Sequence, residues 1–256
     1  MRRMFLISVA VSGALIAGDG AAIEADAVVL ALAFNEGKGE VALDGSANGN
    51  DGGLTNEASW GDGVIGPCVK LANLAHVAVP ASPSLSLANT DLSMAIWFNF
   101  SEAPGWVALL SHDVEEALDR MKWSWTYTSG KFRFHVDNTG GNLGWADSDF
   151  FEDPELDRWY HLAVVKAGHI YTYYLDGLPF GEDEMDEPIP DGMEPPLTIG
   201  SIKELWVFQG LIDEVLIMRK SLTQADVRRH MNEGVQSVLP VRALGLAATT
   251  WGDLRQ

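Results

Sequence analysis

Three groups of residues in this chain have types and spacing that could do chemistry. The run Glu182-Asp183-Glu184-Met185-Asp186-Glu187 sets carboxylates at alternate positions. Alternate residues of a strand point the same way, about 6.6–6.8 Å apart along the chain. Retaining glycoside hydrolysis needs two carboxyls about 5–5.5 Å apart, which tilted side chains could reach. Pro188, Pro190, Pro195 and Pro196 follow closely, however, and proline cannot donate to a central ladder. The run therefore reads as an exposed acidic loop, and no catalytic residue is assigned.

The second group is Asp44-Gly45-Ser46-Ala47-Asn48-Gly49-Asn50, a row of oxygen donors on a glycine-punctuated loop, which is what calcium prefers. It matches the first half of an EF-hand loop, with Ser46 at the third position. Thr55 then stands where a bidentate Glu belongs, so an EF-hand is excluded. Asp44, Asn48 and Asn50 remain candidate ligands for a structural Ca2+ held in another way. The plain alternative is an Asn-Gly turn whose carboxylate hydrogen-bonds locally.

The third group is aromatic. Of nine tryptophans, Trp97, Trp123, Trp125 and Trp159 fall inside expected strands and read as core. Trp60, Trp106, Trp145 and Trp206 fall near loops, and Trp106, Trp145 and Trp206 are the candidate ligand-binding residues, since indoles stack on the apolar faces of sugars. His161 lies mid-strand on the face of Trp159 and Ala163 and reads as a structural imidazole. His112, His135 and His169 do not share metal-ligand spacing with it.

The elements that must position these residues are strands. Arg158 to Gly181 is an antiparallel meander, turning at Ala167-Gly168 and at Asp176-Gly177, the latter suited to a type I′ hairpin. From Asp91 to Phe100, Leu92, Met94, Ile96, Phe98 and Phe100 share one face, the period-two pattern of a half-buried strand. Further strands are expected at Val28 to Phe34, Ile65 to Leu71, Ala75 to Val79, Trp106 to Ser111, Trp123 to Thr128, Lys131 to Val136, Leu197 to Gly200 and Val207 to Met218. One short helix follows, with Thr223 as N-cap, Asp226 reaching back, Val227 and Met231 as its apolar face and Gly234 as C-cap. The fold class is all-β: a two-sheet antiparallel jelly-roll sandwich with one short C-terminal helix.

Composition sets the bounds. The 256 residues are 47% hydrophobic, ample for a core, and 36 acidic against 17 basic residues give a formal charge of -19. Such a field repels nucleic acid and anionic membranes. Arg2 and Arg3, an apolar run from Met4 to Ala17 and small residues beyond read as a secretory signal peptide over 1–27, with no stable membrane insertion after its removal. The single cysteine, Cys68, forms no intrachain disulfide and reads as a small core residue. Residues 28–234 form the domain and 235–256 a C-terminal tail.

Six short stretches then resemble a known family in order. They are Asp44-x-Ser46-x-Asn48-Gly49-Asn50-Asp51-Gly52, the strand Leu92 to Phe98, Trp159-Tyr160-His161-Leu162-Ala163, Tyr174-Leu175-Asp176-Gly177, Gly210-Leu211-Ile212-Asp213-Glu214-Val215, and Leu222 to Val227 opening the helix. Together they resemble the laminin G-like domain of the concanavalin A-like lectin/glucanase jelly rolls, as found in secreted bacterial proteins. The resemblance implies a cation tying the first loop to a late strand, which adds Asp213 to Asp44, Asn48 and Asn50 as metal ligands. It also implies a secreted, extracellular or periplasmic, non-catalytic binding or adhesion module recognising carbohydrate or an extracellular protein. The alternatives are a glycoside hydrolase or polysaccharide lyase of the same fold, and a structural spacer.

Overall fold

The computed structural model describes residues 24–113, 122–137, 143–191, 195–202 and 204–239. The expected signal peptide up to residue 23, and the tail from residue 240, lie outside the described residues. In chain order the strands are β1 (Val28–Leu32), β2 (Val41–Ala42), β3 (Gly52–Thr55), β4 (Ser59–Asp62), β5 (Pro67–Leu71), β6 (His76–Val79), β7 (Leu92–Phe100) and β8 (Val107–His112). They continue with β9 (Lys122–Thr128), β10 (Lys131–Asp137), β11 (Leu143–Phe150), β12 (Trp159–Ala167), β13 (Ile170–Leu175), β14 (Leu178–Glu184), β15 (Leu197–Ile199) and β16 (Gly210–Met218). Helix α1 (Gln224–Glu233) closes the order.

The strands pair antiparallel in two sheets. The first runs β14-β13-β12-β7-β16-β5-β4, with β1 also on β16, and the second runs β11-β10-β9-β8-β15-β6-β3-β2. Alternation decides which faces meet. Leu92, Met94, Ile96, Phe98 and Phe100 of β7 point inward with Tyr160, Leu162 and Val164 of β12, as the sequence pattern requires. Across the gap stand Trp123, Trp125 and Tyr127 of β9, with Phe132, Phe134 and Val136 of β10. Phe98 joins the layers, its ring 5.0 Å from Phe100, 5.6 Å from Phe132 and 5.6 Å from Tyr160. At one end β11 and β14 come together: Asp147 N–H donates to Asp183, and Gly181, at φ +96°, lies so close that a Cβ would meet the Asp149 nitrogen at 2.3 Å.

The Asp176-Gly177 hairpin forms as the residues demand, whereas the other turn of the meander falls one residue later than expected, at Gly168-His169, because Ala167 still pairs with Ile170. Asp176 and Gly177 have φ 48° and 72°, and Ser129 and Gly130 have φ 52° and 76°. The capping box at Thr223 and Asp226 is present, and Gly234 caps the helix at φ 72°. Five expectations need correction. Trp97 and Trp159 are half-buried on the outer face of the first sheet rather than core. Trp145 is mid-strand in β11, whose Ala146-Asp147-Ser148-Asp149 run disguises it as loop. Glu182 to Glu184 extend the edge strand β14, because the prolines begin only after the ladder ends. The buried helix face is Val227 with His230, while Met231 is half-buried. The first residues of the expected tail pack on the domain, where Val235, Val238 and Leu239 join Val227 over the outer face of the first sheet.

Phe98 sits where both layers converge, so Phe98→Ala leaves a void that neighbours on two sheets cannot jointly fill. We expect a loss of about 3–5 kcal/mol in urea unfolding, with an unchanged denaturant slope. A loss below about 1 kcal/mol would show that the layers are not joined there.

Candidate functional site

The alternation that buries Trp123, Trp125 and Tyr127 turns Ser124, Thr126 and Thr128 to the opposite face of the second sheet. Register then places Arg133 beside Thr126 and His135 beside Ser124, with Asp147 and Trp145 opposite them on β11. Trp106, just before β8, and Trp206, in the loop before β16, complete the lining of a cleft of about 190 Å³. All three tryptophans named from sequence thus meet in one groove. The rings of Trp106 and Trp206 meet edge to face at 5.3 Å, and Trp106 and Trp145 are 56% and 50% exposed.

Each wall is held in place. Trp206 has φ 48°, an uncommon conformation for a bulky residue, and its carbonyl accepts from Ala108 N–H at 2.7 Å, tying the loop to β8. Arg133 donates to both Asp147 oxygens at 2.6 and 2.8 Å, and its guanidinium carbon lies 5.5 Å from the Trp145 ring centre. Burial works to raise the Asp147 carboxyl, but Arg133 and Lys131 outweigh it and hold it below the usual range. The forked pair fixes Arg133 against the indole and cancels its charge. Arg133, His135 and the Ser/Thr floor were missed in sequence, although the alternating Lys122 to Thr128 and Lys131 to Asp137 already carried that signal. Asp137 follows His135 on the same strand face.

The other candidates lie elsewhere. Glu182 pairs with Thr172 on the outer side of the first sheet, across the sandwich from the groove. Asp44 accepts from the N–H groups of Ala31, Ser46 and Asn50 and from the Ser46 hydroxyl. The Asn48 amide donates to the carbonyls of Val28 and Val29, and Asn50 donates to Val29 and accepts from Ser84. Asp213 accepts from Val64, Ile65 and Glu214. These are two separate hydrogen-bonded sets. Asp44 thus belongs to the first loop's set and Asp213 to that of the Val64–Ile65 turn.

His161 has the structural role that its mid-strand place implied. Its Nε2 lies 2.9 Å from His230 Nδ1 beneath α1, so one ring donates and the other accepts, and both are neutral. Burial pushes both imidazoles down, His230 to about 4. A bulge between Asp213 and Leu216, with Glu214 at φ 52°, buries two carboxyls on the same strand, β16. Glu214 accepts from Val235 N–H at 2.6 Å. Burial outweighs these donors and raises Asp213 to about 7 and Glu214 to about 8. Burial also raises the Cys68 thiol to about 12, so it is no nucleophile.

Two predictions follow from these contacts. A resident cation at 100 times its Kd would add about 2.7 kcal/mol, so EDTA should leave the melting temperature within about 1 °C, and stabilisation by millimolar calcium would contradict the assignment. The second concerns pH. The neutral histidines stabilise above about pH 6.5 and lose that contribution as pH falls toward their folded values. The raised carboxyls act oppositely, stabilising at low pH and losing it as pH rises through about 7 and 8. Above pH 6.5 the carboxyls act alone, so the melting temperature should fall toward pH 8.5, at about 2–4 °C per kcal/mol lost. Glu214→Gln should flatten that fall, and an equally steep fall in the variant would contradict it.

Among curated protein sequences, none matches this chain. Among solved structures, domain 4 of AbnA, a GH43 extracellular arabinanase from Geobacillus stearothermophilus in complex with arabinotriose, is similar at TM-score 0.64 and 18% identity, covering 78% of this chain and 96% of that one. The binding domain of Paraclostridial Mosquitocidal Protein 1 follows at 0.61 and 16%, and the botulinum neurotoxin serotype D binding domain at 0.59 and 13%, each covering 80% of this chain and 51% of its own. The chain thus spans about half of either toxin domain, and at these identities the likeness shows the fold alone. Residues 72–228 match the Laminin G 3 family of the concanavalin A-like lectin/glucanases superfamily, and the chain belongs to it.

Proposed function

We propose that this chain is a secreted, non-catalytic module that binds carbohydrate through the groove on its second sheet. The observation that carries the reading is the convergence of Trp106, Trp145 and Trp206 around a floor of Ser124, Thr126 and Thr128. Exposed indoles supply apolar faces for sugar rings, and Arg133, above a buried Ser/Thr floor, supplies orienting hydrogen bonds. A retaining or inverting hydrolase needs two carboxyls flanking one bond. The described lining of this cleft contains none, and Asp147 beside it is committed to Arg133. The likeness to a domain of an extracellular arabinanase solved with arabinotriose supports the same reading and agrees with the expected signal peptide.

The test is a broad glycan and matrix-protein array, followed by calorimetry on the best hit. At least one glycan should be retained without turnover, and Trp106→Ala or Trp145→Ala should each weaken binding about ten-fold or more, equivalent to about 1.4 kcal/mol of lost stacking. Glycan turnover would favour the hydrolase reading. Retention only on protein, or nowhere, would overturn the carbohydrate assignment.

A further inference from the structure

Trp106 and Trp206 also line a second cleft, of about 270 Å³, whose remaining walls include Phe100, Glu102, Gly105 and Gln209. The two clefts share only these two indoles, so the Trp106–Trp206 pair is a partition between neighbouring spaces. Each space is smaller than the roughly 300 Å³ at which small-molecule sites usually begin, and side by side they exceed it. Trp106, half exposed at the crest, is available to both.

Resting on the carbohydrate reading, we propose that the two clefts are consecutive subsites for an internal stretch of a neutral, linear polysaccharide running across the Trp106–Trp206 crest. Neutrality follows from the charges. At the first cleft Arg133 lies 2.6 Å and Lys131 3.6 Å from the one Asp147 carboxylate, which leaves one positive charge over. The second cleft offers the Glu102 carboxylate and no described cation. Arg133 and Lys131 are thus balanced by Asp147 and Glu102, and with a chain charge of -19 a uronate or sulfated polymer meets repulsion with no net positive charge along the two clefts to offset it. A neutral chain instead gains a second stacking and hydrogen-bonding unit on crossing the crest, so affinity should grow with length.

Calorimetry with arabino-, xylo-, cello- and manno-oligosaccharides of one to six units, and with oligogalacturonates as the acidic control, tests this. Gly105 is the position for a blocking variant, because an added Cβ there meets nothing within 4 Å, so Gly105→Trp can fill the second cleft without straining the fold. On at least one neutral ladder, affinity should rise about ten-fold or more between two and five units. Gly105→Trp should abolish that rise while leaving the melting temperature as in the native chain, whereas Trp106→Ala should weaken all lengths. Affinity independent of length, length dependence surviving in Gly105→Trp, or tightest binding to oligogalacturonate would overturn the two-subsite proposal while leaving the carbohydrate reading intact. No binding of any ladder would overturn both.

Discussion

The contact of Phe98 with Phe132 ties the two sheets together, their rings 5.6 Å apart in the middle of the core. Once Phe132 points inward, the period of two leaves Arg133 and His135 no choice but the far face, and pairing with β9 and β11 sets Thr126, Ser124 and Trp145 beside them. A one-residue slip would bury arginine and expose phenylalanine, so the energy that fixes the core also fixes the groove. The ligand surface is the outer side of the same strands whose inner side holds the molecule together.

The first sheet solves a different problem. Its outer face is covered by α1 and the turn at Val235–Ser237, and Ala95, Ala163, Leu216 and Val227 fill most of that contact. Into it the chain also places His161 and His230, 2.9 Å apart, and Glu214, which accepts from Val235 N–H, all three groups shifted toward their neutral forms by burial. Polar groups in such a place specify how the helix seats, because each misregistration would strand a buried donor or acceptor. That arrangement accounts for the histidine, the bulge and the Gly234 cap without assigning chemistry to any of them.

Much of the fold was legible in the residues. The alternation of β7, the two glycine hairpins and the Thr223–Asp226 box each contain their own physical reason, and six short stretches in order named the jelly roll. What escaped was non-local. β11 reads as loop because its buried side chains include Ala146 and Ser148 rather than a run of large apolar ones. His230 escaped notice because only the folded sheet supplies His161 as its partner. Trp106, Trp145 and Trp206 were named singly, but 39 and 61 positions separate them in sequence, and their meeting depends on sheet order. The Arg133–Asp147 fork was hidden for the same reason.

The claim on which the account rests is that ligand contacts the outward indoles and leaves the inward ones untouched. Indole Nε1–H resonances report this directly in titrations with neutral oligosaccharides. The account predicts that Trp106, Trp145 and Trp206 shift in step with binding while the buried Trp123 and Trp125 do not. Shifts confined to Trp60 and Trp97, on the first sheet, would contradict it.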